Sequence, residues 1–207
     1  MGRSLAAIST SACLLLALNA CTADNSTNAE WATATTEHQT LRIAAAANLS
    51  DVLPNIIDSY QTDSNMSNQG NLDIEVTYAS SGKLYAQIKA GAPYDIFLSA
   101  NQEFPAKLSD DKRDKSVQPF TYTRGQLALY SVTKPLNDFT PASLLDAFTS
   151  ASFTDDSKIS IANPELAPYG ASAKAYLQSQ KLYDKLSAQK NLIQAENIGQ
   201  VFQYAHT

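Results

Sequence analysis

Histidine and cysteine are scarce in this chain of 207 residues, which contains two of each. The histidines are His38, in a polar stretch near the N-terminus, and His206, beside the last residue. Because neither belongs to a core-forming stretch, the usual general base and most catalytic triads are excluded. The same scarcity excludes a zinc site, and no glycine-rich phosphate loop of the nucleotide-binding type is present. The sequence therefore points to a non-enzymatic protein that needs no cofactor.

Positive charge is also in short supply, with 15 lysines and arginines against 20 aspartates and glutamates. The resulting net charge of −5 argues against a nucleic-acid surface, which needs clustered basic side chains. A small anion is still an acceptable ligand, because neutral hydrogen-bond donors alone can form its site. The apolar content of 44% is ordinary for a globular protein, and the length allows one or two domains.

The first twenty residues have the pattern of a secretory signal peptide. Arg3 supplies a short positive region, and an apolar stretch follows from Leu5 to Leu18. That stretch is too short to span a membrane, so we assign residues 1–20 to a removed signal. Removal takes Cys13 away and leaves one cysteine, so an intramolecular disulfide cannot form.

Residues 18–21 resemble the processing site of bacterial lipoproteins, with Cys21 as the lipidated first residue. Acyl chains on this cysteine would hold the protein at a membrane surface without spanning it. The alternative is a plain signal peptide cut after Ala20, or an incidental cysteine. Residues 21–40 are rich in threonine, alanine and asparagine and show no apolar period, which predicts a flexible tether.

Strand-like and helix-like segments alternate through the rest of the chain. The apolar run Leu41–Ala47 predicts a buried strand, and a helical stripe follows with Ser50 as its cap and Pro54 near its start. Ile74–Ser81 begins with strand alternation and leads into a second helix, for which Gly91 supplies the stop. Strands separated by helices imply an α/β fold with a parallel sheet flanked by helices.

The same alternation continues to the end of the chain. Further strands are predicted at residues 95–98, 126–131, 158–162 and 192–193. Further helices are predicted at residues 141–150 and 171–180, with a last one through Val201, Phe202 and Ala205. The two halves of the chain therefore share a strand–loop–helix pattern.

Four junctions that lead into helices carry groups able to donate hydrogen bonds, at Asn48, Ser81, Tyr169 and Ile198. In an open parallel sheet, ligands bind outside the carboxyl ends of the strands, where helix N-termini also present unpaired N–H groups. The Asn48 amide, the hydroxyls of Ser81 and Tyr169 and nearby backbone N–H groups could then surround one small anion. Ordinary roles are the alternative, since serine often caps a helix and Ile198 can pack in a core.

Five short motifs around these junctions occur in order between Leu41 and the end of the chain. They are Ala44–Ser50, Tyr78–Leu84, Gly91–Ala100, Asn163–Gly170 and Ala195–Ile198. Together they resemble the periplasmic molybdate-binding proteins of ABC importers. The resemblance implies a two-lobed type II periplasmic binding protein fold, in which each lobe is a mainly parallel sheet flanked by helices. Lobe I would take residues 41–120 and lobe II residues 121–207.

The resemblance also implies a set of oxyanion-binding residues. In that family the oxyanion is held by a first-turn hydroxyl or amide, by the serine after the second strand, by the residue before glycine in a Pro-x-Gly loop, and by a main-chain group. These positions fall on Asn48, Ser81, Tyr169 and Ile198, although many members carry serine at the first of them. The implied ligand is molybdate or tungstate, bound without metal-cation ligands.

Members of that family deliver their ligand to a membrane permease. The binding proteins themselves are located in the periplasm or at the cell surface. We therefore expect a monomeric extracytoplasmic binding protein, which the processing-site pattern at residues 18–21 would anchor to the membrane by a lipid on Cys21. Family members continue with a strand and a helix that return to lobe I. We expect this chain, which stops at Thr207, to be C-terminally truncated.

Three other functions stay open at this point. The same kind of importer could take sulfate or a phosphate-like ion. An extracytoplasmic enzyme on the same fold would need a base, or a carboxylate pair such as Asp95 and Glu196 for glycoside chemistry, and we expect both carboxylates to be structural. A signalling module would follow a DNA-binding helix pair, and the signal and tether occupy that position here.

Overall fold

The computed structural model describes residues 39–63, 72–110, 118–132 and 158–206. Numbered in chain order within these ranges, the strands are β1 Gln39–Ala46, β2 Leu72–Ala79, β3 Ile96–Leu98, β4 Ile159–Ala162 and β5 Leu192–Ala195. The α-helices are α1 Leu53–Thr62, α2 Ser81–Lys89, α3 Glu103–Asp110, α4 Pro168–Ser179, α5 Tyr183–Ala188 and α6 Ile198–Tyr204, with a 3₁₀ helix at Ala47–Leu49. None of these described helices is both long and apolar enough to cross a membrane.

The strands form two parallel sheets, as the alternation of strands and helices predicts. In the first sheet β1 lies between β2 and β3, so Ile43 is paired with both Val76 and Ile96. In the second sheet β4 pairs with β5. We call β1–β3 with α1–α3 the first lobe, and β4–β5 with α4–α6 the second lobe. The predicted α/β class is confirmed, whereas the predicted boundaries between signal, tether and lobes stay a prediction.

The core of the first lobe lies on both faces of β1. Ile43 and Ala45 pack on one face with Leu53 of α1, and Ala44 packs on the other with Leu84 of α2. Successive side chains of a strand point to opposite faces, and a parallel strand covered on both faces reads as a continuous apolar run. This burial fixes the carboxyl end of β1, where the 3₁₀ helix follows.

The core of the second lobe joins β4 to α4 and α5 through Ile161, Leu177 and Leu186. Close contact between backbones holds the start of α4. A Cβ on Gly170 would lie only 2.1 Å from the Ala162 carbonyl oxygen, so glycine is required for this approach. The first turn of α4 is therefore held against the end of β4.

The first helix begins later than predicted. Ala47–Leu49 form the 3₁₀ helix, which ends at Ser50, and α1 starts at Leu53 without a side-chain cap. The prediction that Ser50 caps this helix is therefore wrong, because the extra turn takes up the residues that follow β1. Pro54 stands in the first turn of α1, as predicted, since an N–H group there has no partner inside the helix. Gly91 has a φ of 97° just after α2, which agrees with its predicted role as the stop.

The strand predicted at residues 126–131 is wrong. Residues 118–132 contain no strand, and the side chains of Leu127 and Leu129 are exposed. A strand needs a hydrogen-bonding neighbour, and the described ranges supply none for this segment.

Two further helices, α3 and α5, are not predicted from the sequence pattern. Helix α4 begins three residues before its predicted range, which places Tyr169 in a helix and not in a loop. The signal peptide with Cys21, most of the tether and the helix predicted at 141–150 lie outside the described residues.

Candidate functional site

A small cavity lies between the two lobes, at the carboxyl ends of the strands. It holds about 200 Å³ of empty volume, including its open mouth. The residues that line it come from five chain segments and are Ala46, Ala47, Asn48, Ala79, Ser80, Ser81, Ala100, Ala167, Pro168, Tyr169, Asn197 and Ile198. All four residues predicted for the site are among them.

The lining is electrically neutral. None of its twelve residues is an aspartate, glutamate, lysine, arginine or histidine. Among the described residues, no cluster of three or more metal-ligating side chains is found either. Such a lining offers amide, hydroxyl and backbone N–H donors, which suit a small anion and do not require a counter-charge.

Ser81 is the first residue of α2, and only 1% of its surface is exposed. Its Oγ accepts a hydrogen bond from the Ala100 N–H at 3.0 Å. Because a hydroxyl has one donor and two acceptor sites, this bond fixes the oxygen and leaves the proton free to be donated to a ligand.

Asn48 stands in the 3₁₀ helix that follows β1. Its Oδ1 is buried and has no hydrogen-bond partner among the described residues. Leaving a buried polar group unpaired costs about 1–3 kcal/mol, so such a group indicates a place where a ligand supplies the missing bond. Rotation of the amide by 180° exchanges Oδ1 and Nδ2, and Asn48 can then present a donor to the cavity.

Tyr169 stands in the first turn of α4 and approaches the segment 118–132. Its hydroxyl oxygen lies 2.7 Å from the position that a Cβ on Gly125 would take. Burial raises the pKa of the nearby Tyr122, and the charge of Tyr169 raises it further. The chain just before the predicted strand at 126–131 therefore contributes to the surroundings of this hydroxyl, through Tyr122 and Gly125.

Ile198 is the first residue of α6, and its backbone N–H has no acceptor within the helix. The helix is capped reciprocally just beside it. The Asn197 Oδ1 accepts from the Gln200 N–H at 3.1 Å, and the Gln200 Oε1 accepts from the Glu196 N–H at 3.0 Å. The spacing of Asn197 and Gln200 is that of a capping box, a sequence signal that could have placed this helix start.

Two contacts join the lobes beside the cavity. The Gly82 N–H donates to the Leu166 carbonyl at 2.8 Å, and Lys83 Nζ lies 3.1 Å from both carboxylate oxygens of Glu196. Any larger residue would disturb the first contact, because a Cβ on Gly82 would lie 2.7 Å from the Leu166 oxygen. The cavity is therefore bounded by direct bonds between the lobes.

The two carboxylates considered for glycoside chemistry have separate partners. Glu196 is ion-paired with Lys83. Asp95 Oδ2 accepts from the Arg42 N–H at 2.7 Å, where β3 joins β1. Both contacts agree with the structural roles expected for these residues.

Comparison with known proteins agrees with this architecture. Residues 41–207 match the family model of bacterial extracellular solute-binding proteins. The molybdate-binding protein ModA of Rhodobacter capsulatus is 35% identical over 134 residues, which cover 64% of this chain and 49% of that protein. The putative ABC transporter substrate-binding lipoprotein YvgL of Bacillus subtilis is 31% identical over 168 residues, which cover 81% of this chain and 59% of that protein. The chain thus spans about half to three fifths of the length of these relatives.

A solved structure shares the fold. The periplasmic molybdate-binding protein of Azotobacter vinelandii matches with a TM-score of 0.67 at 30% identity, over 80% of this chain and 66% of that chain. This match confirms the type II periplasmic binding protein fold that the sequence motifs implied. Because the family model covers nearly all of the chain after residue 40, this protein belongs to the bacterial extracellular solute-binding protein family.

Proposed function

We propose that this protein is the solute-binding component of an ABC importer and that it binds molybdate or tungstate in the cavity between its lobes. The observation that carries the proposal is the neutral cavity on which Asn48, Ser81, Tyr169 and Ile198 converge. The names of similar proteins, which are molybdate-binding proteins and an ABC transporter substrate-binding lipoprotein, support the same ligand and the same transport class.

The donor set favours a fully deprotonated, tetrahedral dianion. Two hydroxyls, one amide and the Ile198 N–H can each donate a hydrogen bond to an anion oxygen. No carboxylate lines the cavity to accept a proton from the ligand, which favours a fully deprotonated anion over a protonated phosphate. Sulfate is also a dianion, and the size of the cavity is what would separate it from the larger molybdate and tungstate.

Ligand binding would be coupled to the relative position of the lobes. The anion would accept hydrogen bonds from both lobes and so link them. The hydrogen bond from Gly82 to Leu166 and the ion pair of Lys83 with Glu196 also link the two lobes. A ligand that binds the joined form better than an open form shifts the population towards the joined form. The permease partner would then recognise the joined lobes, and no covalent step is needed.

A thermal-shift titration of the purified protein tests this proposal. At one hundred times its dissociation constant, a ligand adds about 2.7 kcal/mol to the free energy of unfolding. We expect molybdate and tungstate to raise the melting temperature, with sodium chloride at matched ionic strength as the control. A rise with sulfate or phosphate alone would indicate an importer of another oxyanion. No rise with any of these anions would contradict an oxyanion-binding function.

We further propose that a lipid on Cys21 anchors the protein to a membrane. The tetrapeptide at residues 18–21 supports this, and the relative YvgL is itself named a lipoprotein. The Cys21→Ser variant should move from the membrane pellet to the soluble fraction of lysed cells. Cys13→Ser is the matched control and should stay in the pellet. Retention of Cys21→Ser in the pellet would contradict the anchor.

A further inference from the structure

We propose that Ser80 is an additional donor to the bound oxyanion, so that Ser80 and Ser81 hold it together at the start of α2. This inference rests on the proposed function and deepens it, because the sequence and the resemblance point only to Ser81. The proposal stands on three observations of Ser80, namely its burial, its unused capping position and its place in the cavity wall.

The hydroxyl of Ser80 is buried without a partner. Only 3% of the residue's surface is exposed, and its Oγ makes no hydrogen bond to any described residue. Buried hydroxyls nearly always have a partner, because losing contact with water must be offset by another bond. Since Ser80 lines the same cavity as Asn48, an oxyanion in the cavity can accept the missing bond from the Ser80 hydroxyl, and one from Asn48 once its amide is rotated to present Nδ2.

Helix capping does not account for the serine at this position. Ser80 is the N-cap residue of α2 and has the extended backbone of a cap, with φ −63° and ψ 144°, yet its side chain makes no capping bond. A serine at an N-cap normally accepts from the N–H two or three residues later. Asn197 does so at the start of α6 in this same chain. The Ser80 hydroxyl is therefore not committed to the helix.

The neighbouring groups of α2 are already committed to other bonds. The Gly82 N–H donates to the Leu166 carbonyl, and Ser81 Oγ accepts from the Ala100 N–H. An anion at this end of α2 would therefore meet two hydroxyl protons, one from Ser81 and one from Ser80, in place of the Gly82 amide. With two hydroxyls from consecutive residues, the first lobe would donate hydrogen bonds to more than one oxygen of a tetrahedral ion.

Calorimetric titration of the purified protein with molybdate tests the role of Ser80. The variants are Ser80→Ala and, as the matched control, Ser179→Ala, whose exposed hydroxyl donates to the Tyr176 carbonyl at the far end of α4. We expect Ser80→Ala to raise the dissociation constant about tenfold to a hundredfold, the range for a hydrogen bond to a charged group. Its melting temperature without ligand should be unchanged or higher, because an unpaired buried hydroxyl is removed. Ser179→Ala should bind as the wild type does.

The outcomes separate this inference from the proposed function. If the wild type binds molybdate and Ser80→Ala binds it equally well, the additional donor is refuted and the proposed function stands. If Ser80→Ala loses stability without ligand, the hydroxyl serves the fold and the inference is wrong. If the wild type itself binds neither molybdate nor tungstate, the proposed function fails and this inference fails with it. Should Ser80→Ala not fold, Ser80→Gly gives the same comparison, because glycine is well tolerated at an N-cap.

Discussion

The hydroxyl of Tyr169 can occupy its position because Gly125, 44 residues earlier in the chain, has no side chain. Its oxygen lies 2.7 Å from where a Cβ on Gly125 would stand, closer than real Cβ contacts allow. Any other residue at position 125 must therefore displace the Tyr169 hydroxyl or the segment itself. We therefore expect Gly125 to influence ligand binding only through the position of Tyr169.

The variant Gly125→Ala should weaken molybdate binding, because the added methyl group moves the Tyr169 hydroxyl away from the cavity. We expect a loss of about tenfold, similar to the loss of one hydrogen bond to a charged ligand. A double-mutant cycle with Tyr169→Phe, followed by calorimetry, checks the mechanism. The double variant should bind no more weakly than Tyr169→Phe alone. Fully additive losses would show that Gly125 does not act through the hydroxyl.

Stability should fall at alkaline pH because of Tyr122. Burial, and then the neighbouring Tyr169, raises the pKa of Tyr122 above the value of 10.0 that a free tyrosine has. The unfolded chain therefore loses this proton before the folded chain does, and stability falls as pH rises above about 10. Urea unfolding between pH 9 and pH 11 measures the slope, which Tyr122→Phe should reduce. A slope that Tyr122→Phe leaves unchanged would contradict the assignment.

Which site residues could be found from the sequence depends on how local their signals are. Asn48, Ser81 and Ile198 each stand where a strand gives way to a helix, and that pattern is visible within a few residues. Ser80 was not singled out, because a serine before a helix is expected to be a cap and only the structure shows that its hydroxyl is unused. Gly125 was missed because its role depends on a tyrosine brought near by folding.

For helices and strands too, features set by neighbouring residues could be predicted from the sequence, and features set by distant contacts could not. The starts of α2 and α6 could be predicted because polar residues and an apolar stripe mark them. The short helices α3 and α5 are stabilised mainly by packing, as in the ring contact of Tyr85 with Phe104 and the burial of Leu186. The segment 126–131 has strand-like residues but no neighbour among the described strands, so its pattern alone misled the prediction.

The ion pair of Lys83 with Glu196 links α2 to the residues before α6, and it should contribute modestly to ligand binding. Both side chains are partly exposed, at 47% and 32%, so the pair is worth at most about 1 kcal/mol. We expect Glu196→Gln to weaken molybdate binding about two- to fivefold at low salt, since we propose that opening of the lobes would break this pair. The difference from wild type should shrink in 0.5 M sodium chloride, because salt screens exposed charges.

The matched control for this pair lies within one lobe. Arg42 and Glu75 form an exposed ion pair at 3.3 Å between β1 and β2. Glu75→Gln removes an equivalent charge without changing any contact between the lobes. An equal loss of affinity in both variants would contradict the assignment of the effect to the bond between the lobes.

The whole molecule combines an acidic chain with a neutral cavity, in which we propose that an anion binds. The net charge of −5 gives no general attraction for a dianion, so affinity must come from hydrogen bonds aimed into the cavity. The α/β class and the family could be predicted because strands and helices alternate and the motifs keep their order. How closely the lobes approach could not be predicted from the sequence, because the approach depends on contacts such as that of Gly82 with Leu166, which are 84 positions apart in the chain.

A crystal structure of the protein grown with tungstate, in which tungsten is located by its anomalous scattering, tests the proposed binding site most directly. We predict one strong peak in the cavity between the lobes, with the oxygens of the ion within hydrogen-bond distance of the Asn48, Ser81 and Tyr169 side chains and the Ile198 N–H. A peak on another surface, or an empty cavity at saturating tungstate, would contradict the proposed site.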